Sequence, residues 1–368
     1  VVFPFDKTIL LSVLFLLGLG LVQVYSSSFI FATETYDNGL YFVSRQLAYV
    51  GIGFAVLVAG AFLPKKLLKP AVITLWLVAV VGLVLTFVPG LGITAGGAHR
   101  WLRLPLAQRF EPAELFKITF PIVLSLLLTW EPEDVRRRVL AAILVVSPLV
   151  LLHFQPDFGT LAMCFLVGFS LLFTFGLQIK YMMAGFLGAI PAFYFLVMQK
   201  SYRLARLKSY LDPWADPGEK GFQVIQSLLS FHSGGLFGAG LGQGQGKLFF
   251  LPEAHTDFTL AVLGEELGFV GFAFLMMIYG LLIFRGFQIA LKAEKSWERG
   301  SILGLILMFF FSVFINAGVV TGLLPTKGLT LPFLSYGGSS LICNCLAFGL
   351  ILNFERRQRM QPTRRSAA

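Results

Sequence analysis

Asp257 stands where a long polar loop gives way to an apolar run, in Leu251-Pro252-Glu253-Ala254-His255-Thr256-Asp257-Phe258. A carboxylate at such a boundary can take a proton from a hydroxyl. His255 and Thr256 beside it can hydrogen-bond a polar substrate. Thr256 or Asp257 would equally serve as the N-cap of the helix that follows, and spacing alone does not choose between cap and base. Glu265 and Glu266 come deeper in the same run, where adjacent carboxylates need partners inside a bundle.

A second group lies earlier. Gly96-Gly97-Ala98-His99-Arg100-Trp101 leads towards Glu111-Pro112-Ala113-Glu114-Leu115-Phe116-Lys117. Glu114 and Lys117 are spaced to share a helix face, and Pro112 suits the first turn. Alone, Glu114 would be a charge favourable to a helix N-terminus and Lys117 a snorkelling lysine. Lys117, however, lies about a turn inside an apolar segment, where ionisable groups face a cavity and mark function. A buried or cavity-facing ion pair is therefore expected. Trp101 alone would be an interfacial belt residue. In Gln155-Pro156-Asp157-Phe158-Gly159-Thr160, Asp157 reads first as the cap of a helix starting at Phe158.

Two stretches are built to bend. Gly234-Gly235-Leu236-Phe237-Gly238-Ala239-Gly240-Leu241-Gly242 continues through Gly244 and Gly246 to Lys247. A nucleotide P-loop needs G-x-x-x-x-G-K-[ST] after a strand; Leu248 follows Lys247, and no strand is expected. Such a backbone still forms anion-binding nests and approaches a ligand closely. From Gly322 to Ser340, Pro325, Pro332 and several glycines break helix. Non-helical backbone at membrane depth is tolerated only when buried in protein or lining a cavity, so this segment, Ser335 included, is expected in a pocket wall. H-E-x-x-H and G-x-S-x-G are absent and the four histidines are scattered, which disfavours metalloprotease and serine-hydrolase chemistry.

The elements that must hold these groups are membrane helices. Hydrophobic residues make up 57% of the 368 and charged ones 13%, against roughly 25% charged in a soluble domain. A ~30 Å hydrocarbon core needs ~20 apolar residues in a helix. About ten spans follow: 8–29, 47–63, 71–89, 113–130, 139–154, 158–176, 181–199, 258–287, 300–324 and 339–354. The first is read as a span rather than a secretory signal, because its apolar run is long and no A-x-A site follows. The expected fold is one all-α polytopic bundle over 1–368, with a large extracytoplasmic loop at 200–256, a broken Pro/Gly-rich segment before the last helix, and a disordered cytoplasmic tail at 355–368.

Alternate connections carry Lys65-Lys66-Lys69, Arg136-Arg137-Arg138, Lys180, Arg285 to Arg299 and the tail arginines. The positive-inside rule places them, and both termini, in the cytoplasm. Arg100, Arg103, Arg109, Arg203, Arg206, Lys208 and Lys247 fall in the opposite loops, where orientation does not require cations. An anionic substrate there accounts for them; for any single arginine, lipid phosphate does as well. The formal charge of +10 does not indicate nucleic acid, because the basic residues lie in short blocks between apolar segments. Cys164, Cys343 and Cys345 sit in apolar segments and are expected as free thiols, with no metal site.

Taken together, Arg45-Gln46, Gly97 to Trp101, Pro112 to Lys117, Asp157 to Thr160, Leu251 to Asp257, Gly264-Glu265-Glu266 and Gly322 to Ser340 resemble the SEDS proteins, represented by RodA and FtsW, over nearly the whole chain. The resemblance implies a ten-span peptidoglycan glycosyltransferase of the bacterial cytoplasmic membrane. Its substrate would be lipid II, polymerised on the outer face beside a class B penicillin-binding transpeptidase. The family's essential aspartate falls on Asp257, its outer-loop arginine and tryptophan on Arg100 and Trp101, and its helix-borne pair on Glu114 and Lys117. Arg45, Lys247, His255, Thr256 and Ser335 join them as expected substrate-binding residues. Glu111 departs from the family's usual Gln before Pro. Thr330 and Asp212-Pro213-Trp214-Ala215-Asp216-Pro217 read as FtsW-like, while the short termini favour RodA. In the implied mechanism Asp257 is the base, and Arg100 with Lys247 holds the diphosphate; acidic groups on the outer side also admit a divalent cation. The competing readings are a lipid II flippase, which needs no general base, and a non-catalytic scaffold for the transpeptidase.

Overall fold

The computed structural model describes residues 5–95, 98–103, 105, 108–131, 134–181, 183–185, 187–188, 210–218, 221–247, 251, 253–326 and 328–360. Most of the expected span 181–199, and the following residues to 209, lie outside them. The chain forms an all-helical polytopic bundle. Six helices are long and apolar enough to cross a membrane: α1 (Lys7–Tyr36), α2 (Tyr41–Phe62), α3 (Lys65–Leu85), α9 (Thr259–Lys292), α10 (Ser296–Val320) and α11 (Gly338–Met360). The shorter helices are α4 (Pro112–Leu128), α5 (Val135–Val146), α6 (Pro148–Phe154) and α7 (Phe158–Thr174), of which α7 is apolar, and α8 (Phe222–Gly234) precedes the glycine-rich loop.

Local chemistry sets the boundaries. The Asp6 carboxylate accepts the Ile9 N–H at 3.0 Å and starts α1, satisfying one of the orphan donors of a helix N-terminus. Pro64 holds an extended conformation between α2 and α3. The expected span 139–154 is two helices, because Pro148 has no N–H to continue α5. The loop after α3 is not irregular: β1 (Gly92–Ala95), β2 (Ala98–Arg103) and β3 (Arg109–Phe110) pair antiparallel in the order β1-β2-β3. This sheet satisfies its backbone groups without membrane helix and presents Arg100 and Trp101.

The core centres on α4, α10 and α11. α4 is buried along nearly its whole length, whereas α2 and α9 expose Ile52, Phe54, Phe274 and Phe284, as lipid-facing helices do. Gly53 and Gly60 of α2 pack on Cys345 and Gly349 of α11, so small residues let the backbones approach. Asn353 then donates to the carbonyls of Gly60, Ala61 and Leu63, capping the end of α2. The tail does not begin at Glu355: α11 continues to Met360 and Glu355 is buried. The extra turns are held by charge, since Arg359 binds Glu355 and lies 3.4 Å from Asp6, which also pairs with Arg285 at 2.7 Å. All three cysteines are free and buried.

Candidate active site

Asp257 sits in a tight turn ahead of α9. The Thr256 and Phe258 N–H groups both donate to Glu253 O, and Glu253 itself adopts a left-handed φ of 57°. Tyr336 N–H donates to His255 O at 2.9 Å, Thr259 Oγ1 to Thr256 O at 2.9 Å and Asn316 Nδ2 to Asp257 O at 2.9 Å. The carbonyls of 253, 255, 256 and 257 are thus all engaged, and the turn is fixed. The cap of α9 is Phe258, with no side-chain cap bond, so the N-cap alternative for Thr256 and Asp257 is not what the structure shows.

The Asp257 carboxylate faces Gly328 of the broken segment. A Cβ placed on Gly328 would stand 3.2 Å from Asp257 Oδ2 and 3.9 Å from Arg100 Nη1. The base candidate and the cation therefore border one gap, whose other wall is a residue without a side chain. Arg100 projects from β2, donates from Nη2 to Pro156 O at 2.7 Å and lies 3.9 Å from Asp157 Oδ1. Asp157 does cap α7, accepting the Thr160 N–H at 3.3 Å. Arg100 Nε and Asp157 Oδ2 have no hydrogen-bond partner among the described residues, leaving polar capacity beside the gap.

Behind Arg100 lies the Glu114–Lys117 pair, 2.6 Å apart and buried. It lines a small cavity with Ser312, Thr330, Ser340 and Asn344. Glu111 precedes α4, and its N–H donates to Ser339 Oγ at 3.0 Å. Burial first, then the carboxylates of Glu114 and Asp157, push Glu111 up to about 8. A protonated Glu111 leaves Arg100 and Lys117 balanced by Asp157 and Glu114. It also presents the same kind of neutral carbonyl oxygen as the Gln that the family resemblance leads one to expect.

The remaining candidates divide. His255 packs its ring on Phe31 and Phe42, with centroids 5.6 and 4.6 Å away, and lies beside Tyr336. Burial holds its pKa below the usual histidine value, with Glu253 opposing, so it is a neutral ring in an aromatic cluster. Arg45 stands 4.3 Å over the Tyr41 ring, at the edge of that cluster. Thr256 Oγ1 donates to Glu253 Oε2 at 2.7 Å. Trp101 lies on β2, paired with Ile93.

Two further candidates are held by internal partners. Ser335 is buried, and its Oγ accepts the Leu331 N–H at 3.0 Å; it closes a turn of the broken segment rather than opening towards a ligand. Lys247 is equally buried and bonds Glu266 Oε1 at 2.6 Å and Ser26 Oγ at 3.0 Å. The glycine-rich backbone does form an anion nest, but its anion is internal: Gln245 and Gly246 N–H groups bind the Glu265 carboxylate at 2.7 and 3.0 Å. Among the described residues no group of three or more His, Cys, Asp or Glu could hold a metal ion. Sequence reasoning missed Asn316, and it placed Gly328 in the pocket-wall segment without singling it out. An Asn inside an apolar helix was the available signal for the first.

A family model described as cell cycle protein, FtsW/RodA/SpoVE, matches residues 7–360. The chain belongs to the FtsW/RodA/SpoVE family. Among FtsW/RodA/SpoVE relatives, it is 40% identical to the probable peptidoglycan glycosyltransferase FtsW of Geobacter sulfurreducens over 362 residues, covering 97% of each chain. It is 38% identical to stage V sporulation protein E of Bacillus subtilis over 360 residues, covering 96% of this chain and 98% of that one. The fold matches a solved structure described as structural coordination of polymerization and crosslinking by a peptidoglycan synthase complex, with TM-score 0.78 and 30% identity, over 97% of this chain and 99% of that one. It also matches the Thermus thermophilus rod shape determining protein RodA, with TM-score 0.69 and 29% identity, over 97% of this chain and 98% of the other.

Proposed function

We propose that this chain is a peptidoglycan glycosyltransferase that polymerises lipid II at the gap bordered by Asp257, Arg100 and Gly328. The observation that carries the reading is the convergence of the Asp257 carboxylate and the Arg100 guanidinium on Gly328. Asp257 takes the proton of the acceptor sugar hydroxyl. The resulting oxygen attacks the anomeric carbon of the donor sugar, the glycosidic bond to diphosphate breaks, and the electron pair leaves on the lipid diphosphate. Arg100 stabilises that leaving charge through charge-assisted hydrogen bonds.

The site lies on the extracytoplasmic side of the cytoplasmic membrane and both termini are cytoplasmic, a reading supported by the basic residues of the alternate connections. The partner is a class B penicillin-binding transpeptidase, supported by likeness to a structure described by both polymerization and crosslinking. The role is of the division or sporulation type rather than the RodA type. Supporting this are the 40% and 38% identities to FtsW and stage V sporulation protein E, together with Thr330 and the 212–217 stretch.

The test is glycan-strand synthesis by purified protein from lipid II, with and without the transpeptidase. Asp257→Ala is expected to make no polymer while still binding lipid II; wild-type rates in that variant would overturn the assignment. Asp257→Asn separates a polymerase from a flippase, since only the polymerase loses its base.

A further inference from the structure

Asn316 lies in the interior of α10 and is 2% exposed. Its Nδ2 donates to two backbone carbonyls on two other segments: Asp257 O at 2.9 Å and Leu329 O at 2.7 Å. Both amide hydrogens are thereby used. The first carbonyl belongs to the residue whose carboxylate faces the gap. The second belongs to the residue after Gly328, which forms the gap's other wall. The Tyr336 N–H joins the same two segments at His255 O, 2.9 Å away.

We infer that Asn316 is a positioning residue for glycosyl transfer: it ties the Asp257 turn and the Gly328 wall to α10, and so sets where the carboxylate stands against the acceptor. The inference rests on the reading of Asp257 given above. The chemistry selects the side chain. Two carbonyls on different segments need two N–H donors on one short arm. An aspartate in its ionised form has none and would repel both oxygens. A glutamine has the donors, but one more methylene displaces the head group. Because Asn316 is buried behind the turn, it reaches no substrate; its removal lets the carboxylate drift rather than removing a substrate contact. A misplacement of about 1 Å can cost about a hundredfold in rate.

Full-length Asn316→Ala, Asn316→Asp and Ser301→Ala proteins are compared in lipid II polymerisation across pH, with amide hydrogen exchange measured on the same samples. Ser301 is a control on the same helix, buried and, among the described residues, bonded within that helix to Trp297 O. The expected result for Asn316→Ala is a kcat lowered about a hundredfold with KM changed less than about threefold, a split that marks loss of transition-state geometry rather than of binding. In Asn316→Asp, which keeps the shape and guards against a folding failure of the alanine variant, the deficit deepens as pH rises and the new carboxyl ionises. The deficit of Asn316→Ala keeps the same ratio to wild type at every pH. Exchange quickens at 253–258 and 328–335 and not along α10, while Ser301→Ala matches wild type throughout. An inactive Asp257→Ala beside an Asn316→Ala of near wild-type kcat, a loss carried in KM, or unchanged exchange in both segments would overturn the inference. Polymerisation by Asp257→Ala would instead sink the reading of the base, and the exchange result would then decide the tether on its own.

Discussion

The Lys247 ammonium and the Glu266 carboxylate lie 2.6 Å apart, with side-chain exposures of 5% and 0%. The pair fastens the glycine-rich loop to α9, and Ser26 of α1 bonds both partners. Removing one partner of a buried pair leaves an uncompensated charge, at a cost of about 3–5 kcal/mol. Lys247→Met and Glu266→Gln are each expected to lower the thermal unfolding midpoint of the detergent-solubilised protein strongly, and the double variant to lower it less than the sum of the two. If Lys247→Met instead melts like wild type and raises KM for lipid II, the lysine belongs with the substrate and not with Glu266.

Gly328 is the wall of the gap, and an added methyl would stand 3.2 Å from Asp257 Oδ2. Gly328→Ala should fold normally, because the position is exposed. It should lose polymerisation by about 10- to 100-fold through displacement of the carboxylate. Gly280→Ala, where a Cβ meets nothing within 4 Å, should be silent in the same assay. Equal activity of the two variants would mean that the gap is not where sugar transfer occurs.

Glu111 has an ordinary value of 4.5 and is pushed up to about 8, by burial first and then by Glu114 and Asp157. Between those values the folded state keeps a proton that the unfolded chain has released. Stability is therefore lost as pH rises through that window, with the loss complete above about 8. Glu111→Gln has no such proton. Its unfolding midpoint should gain on wild type from pH 5 to pH 8 and hold a constant lead beyond, while polymerisation at neutral pH stays within about twofold, since the neutral acid and the amide present the same carbonyl. A difference independent of pH would show that Glu111 is ionised in the folded protein.

Gly268 interrupts α9 with φ 67° and ψ −168°. The carbonyls freed at Glu265 and Glu266 accept from Ala239 and Gly240 N–H. The amides of Phe269 and Val270 donate to Gly235 and Leu236 O. The glycine-rich loop is spliced into the helix and answers these four backbone groups at the break. Gly268→Ala would force a left-handed φ on an L residue and set its Cβ 2.6 Å from Leu236 O. Destabilisation of about 1–3 kcal/mol is expected from the backbone alone. Thermal melts of the purified variant, with Gly280→Ala of the same helix as the reference, measure it. An undiminished midpoint would mean that the kink is not a required feature of the fold.

What the sequence determined is what lies within a few residues of itself. Lipid offers no partner to a backbone amide, so long apolar runs become helices whatever surrounds them. A spacing of three on a helix puts Glu114 against Lys117, and an aspartate ahead of a helix start caps it, as Asp157 does. The family likewise followed from motifs read in order. Tertiary structure decided the rest. Asp257 meets Asn316 across 59 positions of chain, and Lys247 meets Glu266 across 19. The chain beyond Glu355 keeps its helix as far as Met360 because Asp6, near the start of the sequence, lies between Arg285 and Arg359. Helix geometry dictates neighbours only one turn away. Which distant groups meet is set by packing, and in this fold packing brings the Asp257 carboxylate, the Arg100 guanidinium and the bare backbone of Gly328 to one gap.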